Sequence, residues 1–253
     1  MKTLYCIIGN LRAGQATVDS FKKHVLNENT DVALYVGDDY HNSQWRDISK
    51  YTWETNESTN WWEQVYDDKL PGWRDWDLKG NIYGPYQKKN GKSGSGMIIC
   101  GYRELLHKKL LSIPRYDRYV LSRSDIMFTN NILPEALPNT IYVPEGEEYG
   151  GVTDRFIVGD RDSFLKSLLV LDTLKAMKSQ HPNNVEGLLL KHFKKNGLKV
   201  NKMPRFTLSI GRLDEQTRWA ALSQKYPISE YEGYFAKYPN EYVLAMKNIK
   251  QKK

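Results

Sequence analysis

Residues 3–37, TLYCIIGNLRAGQATVDSFKKHVLNENTDVALYVG, decide the fold. The apolar run Thr3 to Ile8 halts at Gly9-Asn10 and predicts a buried first strand. Gln15 to Leu26 sets Val18, Phe21, Val25 and Leu26 at helical spacing, and residues 32–36 form a second apolar run ending at Gly37. Strand, helix, strand in so short a span opens an α/β domain with parallel strands.

Outward from that unit, residues 40–93 hold six of the seven tryptophans among Asn, Asp, Gly and Pro, which predicts an irregular insertion. Met97 to Leu111 puts Ile99, Tyr102, Leu106 and Leu110 on one helical face, and Pro114 ends that helix. YDRYVLSRSDIMF (116–128) then reads as one continuous strand. Residues 139–160 read as strand, glycine-rich loop and strand, after which Asp160 or Asp162 caps a helix carrying Phe164, Leu168, Leu171 and Leu174. A further helix runs from about Asn184 to Lys195 and closes on Asn196-Gly197. LKVNKM and RFTLSIG read as late edge strands, and residues 247–253 as a frayed basic tail. With no repeat and no linker, the expectation is a single α/β domain over 1–253.

Bulk properties narrow the class. A hydrophobic fraction of 40% with 26% charged residues is globular, and 37 basic against 30 acidic side chains give a net charge of +7, which favours anionic partners. Basic residues are dispersed without a stripe of interleaved aromatics, so no nucleic-acid partner is expected. Cys6 and Cys100 lie in apolar runs and are expected as buried free thiols, which excludes a disulfide framework or a cysteine zinc site. The first apolar run is too short for a signal peptide and no segment is long enough to span a membrane, so a cytoplasmic protein is expected.

Candidate chemistry gathers at strand ends, where ligands of α/β sheets bind. The loop after the first strand offers Gly9, Asn10 and Arg12. It is no phosphate-binding loop, because Gln15-Ala16 stand where Lys and Ser or Thr are required, and GKSGSG (91–96) fails too, with Tyr86 at its first glycine position. Arg12 is either a diphosphate partner or a solvated surface arginine. Asp38 and Asp39 close the second strand, either to accept hydrogen bonds from a ribose or base or as turn carboxylates. In Arg123-Ser124-Asp125, Asp125 is the best metal ligand, with Arg123 a partner or a phosphate clamp; the alternative is a structural Arg–Asp pair. Asp154, after the glycine-rich loop, is either a general base for an acceptor hydroxyl or a cap. Glu186 reads as ordinary helix-start chemistry. The tryptophans either pack a small subcore or stack on sugars and bases, and the five histidines show no metal-binding spacing.

The joined pattern is more specific than its parts. Tyr116, Asp117, Val120, Arg123, Asp125, Ile126 and Phe128 match a strand motif, and Asp154, Arg155, Phe156 and Gly159 match a later one, of nucleotide-sugar glycosyltransferases of the GT-A type. The chain resembles in particular the lipopolysaccharide- and capsule-synthesis transferases and the glycosyltransferase domains of large algal viruses, well over about 97–200 and loosely over the first 40. The resemblance implies a GT-A-like α/β sandwich whose central sheet is mixed, mostly parallel and flanked by helices, and a UDP-sugar donor held by Gly9, Asn10, Arg12, Asp38, Asp39, Arg123, Ser124 and Asp125, with Mn or Mg at Asp125. It implies transfer of a hexose, galactose or glucose, to a hydroxyl of a carbohydrate or glycoprotein acceptor, with Asp154 catalytic, and the host cytoplasm as the compartment if the chain is viral. The sequence departs from the family in carrying Arg123 where an Asp-x-Asp metal motif has its first Asp. The alternative class is a non-catalytic nucleotide or nucleic-acid binding module.

Overall fold

The computed structural model of the chain describes residues 1–11, 13–38, 44–56, 59–76, 78, 82, 95–213 and 226–250. The opening unit forms as read: β1 (Thr3–Ile8), α1 (Gly14–His24) and β2 (Thr30–Gly37). A short α2 (Gln44–Asp47) leads to β3 (Tyr51–Thr55) and α3 (Trp61–Lys69). Next come α4 (Gly96–Leu110), β4 (Arg118–Arg123), β5 (Ile126–Phe128), β6 (Thr140–Pro144) and β7 (Ile157–Gly159). The helices α5 (Arg161–Leu168), α6 (Val170–Met177) and α7 (Val185–Lys195) precede β8 (Lys199–Met203), β9 (Thr207–Arg212), β10 (Tyr234–Ala236) and α8 (Pro239–Lys250).

The main sheet has seven strands in the order β3-β2-β1-β4-β7-β6-β8, with β7 running against its neighbours β4 and β6. The pairs β3-β2, β2-β1, β1-β4 and β6-β8 are parallel. This is the mixed, mostly parallel sheet flanked by helices that the resemblance to GT-A-type enzymes implies. A second sheet of three antiparallel strands, β10-β9-β5, stands beside it.

Period-two alternation explains why β1 reads as an unbroken apolar run. Leu4, Cys6 and Ile8 join the core beneath α4, with Ala33, Tyr35, Tyr119 and Leu121, while Tyr5 and Ile7 join the opposite core with Phe21 of α1, Leu34 and Val120. Both faces are covered, so no alternating polar positions show from Leu4 to Ile8. A third cluster, Met127, Leu208, Ile210, Ala236 and Ala245, fills the space between the small sheet and α8. Cys6 and Cys100 are buried and unpaired, and burial pushes the Cys100 thiol up to about 11. Of the helix ends, Asp160 caps α5 by accepting from the Ser163 amide (2.9 Å), and Asn184 caps α7 by accepting from the Gly187 amide (2.9 Å).

Four expectations are corrected. Residues 116–128 are two strands, because the chain leaves the main sheet at Ser124-Asp125 and β5 pairs with β9 instead. The tryptophan-rich stretch contains a regular strand, β3, which is the edge of the main sheet, and a regular helix, α3. Its Trp45, Trp62 and Trp73 are buried, with edge-to-face contacts Trp62–Trp73 (6.1 Å) and Phe21–Trp45 (5.2 Å), which is the subcore alternative. β9 is the middle strand of its sheet, not an edge. Residues 247–250, read as tail, belong to α8, and 251–253 lie outside the described residues. No helix of the described residues is long and apolar enough to cross a membrane.

Candidate active site

Parallel β1 and β4 end side by side, Ile8 opposite Arg123, so the loops that follow them meet. Gly9 turns with φ +94, a backbone region that favours glycine, and its amide donates to the Tyr35 carbonyl (3.1 Å) of β2. The Ser124 hydroxyl donates to the Asn10 carbonyl (2.6 Å) and ties the two loops together. A pocket opens at this edge, lined by Gly9, Asn10, Arg123, Ser124, Asp125 and Asp154, with Ile98, Ile99 and Tyr102 of α4 as an apolar wall. Six of the nine residues expected at the site are therefore brought together. Asp38 follows β2 at the same edge but does not line the pocket, and Arg12 and Asp39 lie outside the described residues.

Asp154 reaches the pocket from a loop threaded across the start of α7. The Val152 amide donates to the Glu186 carbonyl (3.0 Å), and a Cβ at Gly151 would fall 2.0 Å from that same oxygen, so only glycine passes there. From the other side, Arg103 of α4 donates through Nη2 to the Asp154 carbonyl (3.0 Å). Arg103 is wholly buried, and its Nε and Nη1 have no hydrogen-bond partner among the described residues. The next residue, Arg155, donates through Nε to Glu241 Oε1 (3.1 Å) and lies over the Tyr238 ring at 4.2 Å. The Asp154 backbone is thus held on both flanks, and the residue lines the pocket.

Asp125 is only 2% exposed, whereas the Arg123 side chain is 30% exposed. Arg123 grips it with two hydrogen bonds, Nε to Oδ1 (3.0 Å) and Nη2 to Oδ2 (2.7 Å), and Lys237 Nζ donates to Oδ2 (2.9 Å). Burial works to raise the Asp125 pKa, but Arg123 and Lys237 outweigh it and hold the carboxyl well below the usual carboxylate range. Burial likewise works against the Arg123 charge, and Asp125 and Asp154 overcome it, raising the guanidinium pKa.

The resemblance implies a divalent ion at Asp125, and the donors present do not fit one. Both carboxylate oxygens already serve cations, so a metal would stand against a guanidinium and an ammonium. Among the described residues no three of His, Cys, Asp or Glu are grouped to hold a metal.

Sequence reasoning missed Arg103, Lys237 and Glu241. Arg103 shares its helix with Glu104, His107, Lys108 and Lys109, so a charge there is no local signal. Lys237 and Glu241 meet partners 112 and 86 residues away, so nothing local marks them.

No family model matches the chain, and no curated protein matches it. Among solved structures it is similar to mouse xyloside xylosyltransferase 1 in its apo form. The identity is 10%, the match covers 80% of this chain and 84% of that one, and the TM-score is 0.42.

Proposed function

We propose that the chain is a nucleotide-sugar-dependent glycosyltransferase that moves a hexose, glucose or galactose, from a UDP-sugar to a hydroxyl of a glycan. The observation that carries the reading is the convergence of the β1 and β4 loops with Asp154 in one pocket at the carboxyl edge of a largely parallel sheet, the place where such sheets take ligands. Arg123 meets the donor's diphosphate, and the apolar wall from α4 offers a face to the base or sugar ring. Asp154 accepts the proton of the acceptor hydroxyl as its oxygen forms a bond to the anomeric carbon. The bond from that carbon to the β-phosphate oxygen breaks, its electron pair stays on the phosphate, and Arg123 stabilises the charge that develops there. Trp45, Trp62 and Trp73 are buried in the core and are not available for base stacking.

A thermal-shift screen against UDP-, GDP- and CMP-sugars tests the reading. A UDP-hexose at about 100 times its Kd stabilises the fold by roughly 2.7 kcal/mol, a rise in Tm on the order of 5–10 °C for a chain of this size. If no nucleotide sugar moves the transition, the donor site does not exist.

A further inference from the structure

Building on the donor reading, we propose that this site binds a nucleoside diphosphate without a divalent ion, Asp125 acting as the counter-ion that aims Arg123 instead of as a metal ligand. Two cations, Arg123 and Lys237, share the single carboxylate of Asp125, so that carboxylate neutralises Arg123 only in part; Asp154 is the other anion in the pocket lining. The two partners are not placed alike. Lys237 is buried behind Asp125 and does not line the pocket, whereas the Arg123 side chain is 30% exposed and does. Lys237 therefore occupies the carboxylate from behind while the bidentate grip of Asp125 fixes the plane of the guanidinium toward the pocket. A guanidinium so oriented presents donors in the fork geometry that matches phosphate oxygens. Lys237 is a positioning residue: it keeps Asp125 engaged, so that carboxylate does not recruit a metal and Arg123 remains the charge that faces the ligand.

Calorimetric titration of the full chain with UDP, in EDTA and again in saturating Mn²⁺, separates the possibilities. The expected result is binding in EDTA with a Kd within about threefold of that in Mn²⁺, since a diphosphate held by fixed protein cations does not depend on an added ion. Arg123→Gln, its fold checked by melting, weakens UDP at least about tenfold in both buffers, and Arg123→Lys recovers part of the loss. Lys237→Met frees one side of Asp125 and makes UDP binding respond to Mn²⁺ where the parent chain does not. UDP binding that vanishes in EDTA overturns the inference and leaves the donor reading standing. A Lys237→Met protein as indifferent to Mn²⁺ as the parent removes Lys237 from it. Failure of UDP, GDP, CDP and ADP to bind in either buffer removes the donor reading itself.

Discussion

Replacing Asp154 with Asn is expected to lower turnover by about 10²- to 10⁴-fold, the usual worth of a positioned general base. The substitution keeps the size of the side chain and leaves untouched the contacts that position the residue, because those run through the backbone. Arg103 donates to the Asp154 carbonyl oxygen, and the neighbouring Arg155 is fixed by Glu241. What is lost is the acceptor for the incoming hydroxyl's proton. UDP affinity is expected to stay within about threefold of the parent, because the diphosphate is met at Arg123 on a different strand end. The measurement is nucleoside diphosphate released from a UDP-hexose with acceptor present, set beside titration of UDP. A variant retaining more than a tenth of parental turnover would remove Asp154 from the chemistry.

The second large effect is on stability. Glu241 of α8 is fully buried and accepts from Arg155 Nε (3.1 Å), Arg205 Nη1 (3.0 Å) and the Ser209 amide (2.7 Å). Arg205 directs two further donors to the carbonyls of Glu145 (2.6 Å) and Gly146 (2.7 Å), at the start of the loop that leads to Asp154. One carboxylate thus ties the last helix, the small sheet and the site loop together. Glu241→Ala strands two buried guanidinium groups without their counter-ion, a loss of roughly 3–5 kcal/mol. For a chain of this length that corresponds to a fall in Tm on the order of 10 °C. The contrast is Glu230→Ala, which breaks the Lys23–Glu230 pair at 3.6 Å, where both side chains are more than half exposed. That change is expected to cost less than about 1 kcal/mol. Denaturant titration of both variants checks the pair, and a Glu241→Ala protein within two or so degrees of the parent on heating would show that the buried network does not hold the fold together.

How much of this was legible follows from where the partners lie along the chain. β1, α1 and β2 show in the sequence because burial on both faces or along one stripe imposes a local pattern. Gly9, Asn10, Arg123, Ser124, Asp125 and Asp154 stood out because polar residues at strand ends interrupt that pattern, and the pocket unites them. The break between β4 and β5 was hidden, since Ile126 to Phe128 are as apolar as the strand before them. Only their pairing with β9, some eighty positions later, moves them to another sheet. Trp53 lies on a sheet strand that the surrounding Asn, Asp and Gly disguised. The fate of Asp125 was the least readable: hydrophobic spacing cannot announce that a lysine 112 residues away completes its coordination. Long-range charge pairing, and not propensity, brings that carboxylate to the Lys237 ammonium.

The most direct test of the central claim is the crystal structure of the chain bound to UDP. The diphosphate is expected within hydrogen-bond reach of the Arg123 guanidinium, beside the Gly9-Asn10 loop, with the β-phosphate on the side facing Asp154. UDP found elsewhere would contradict it, above all in the polar cavity at the opposite end of the sheet lined by Tyr5, Asn29, Arg118 and Asn131.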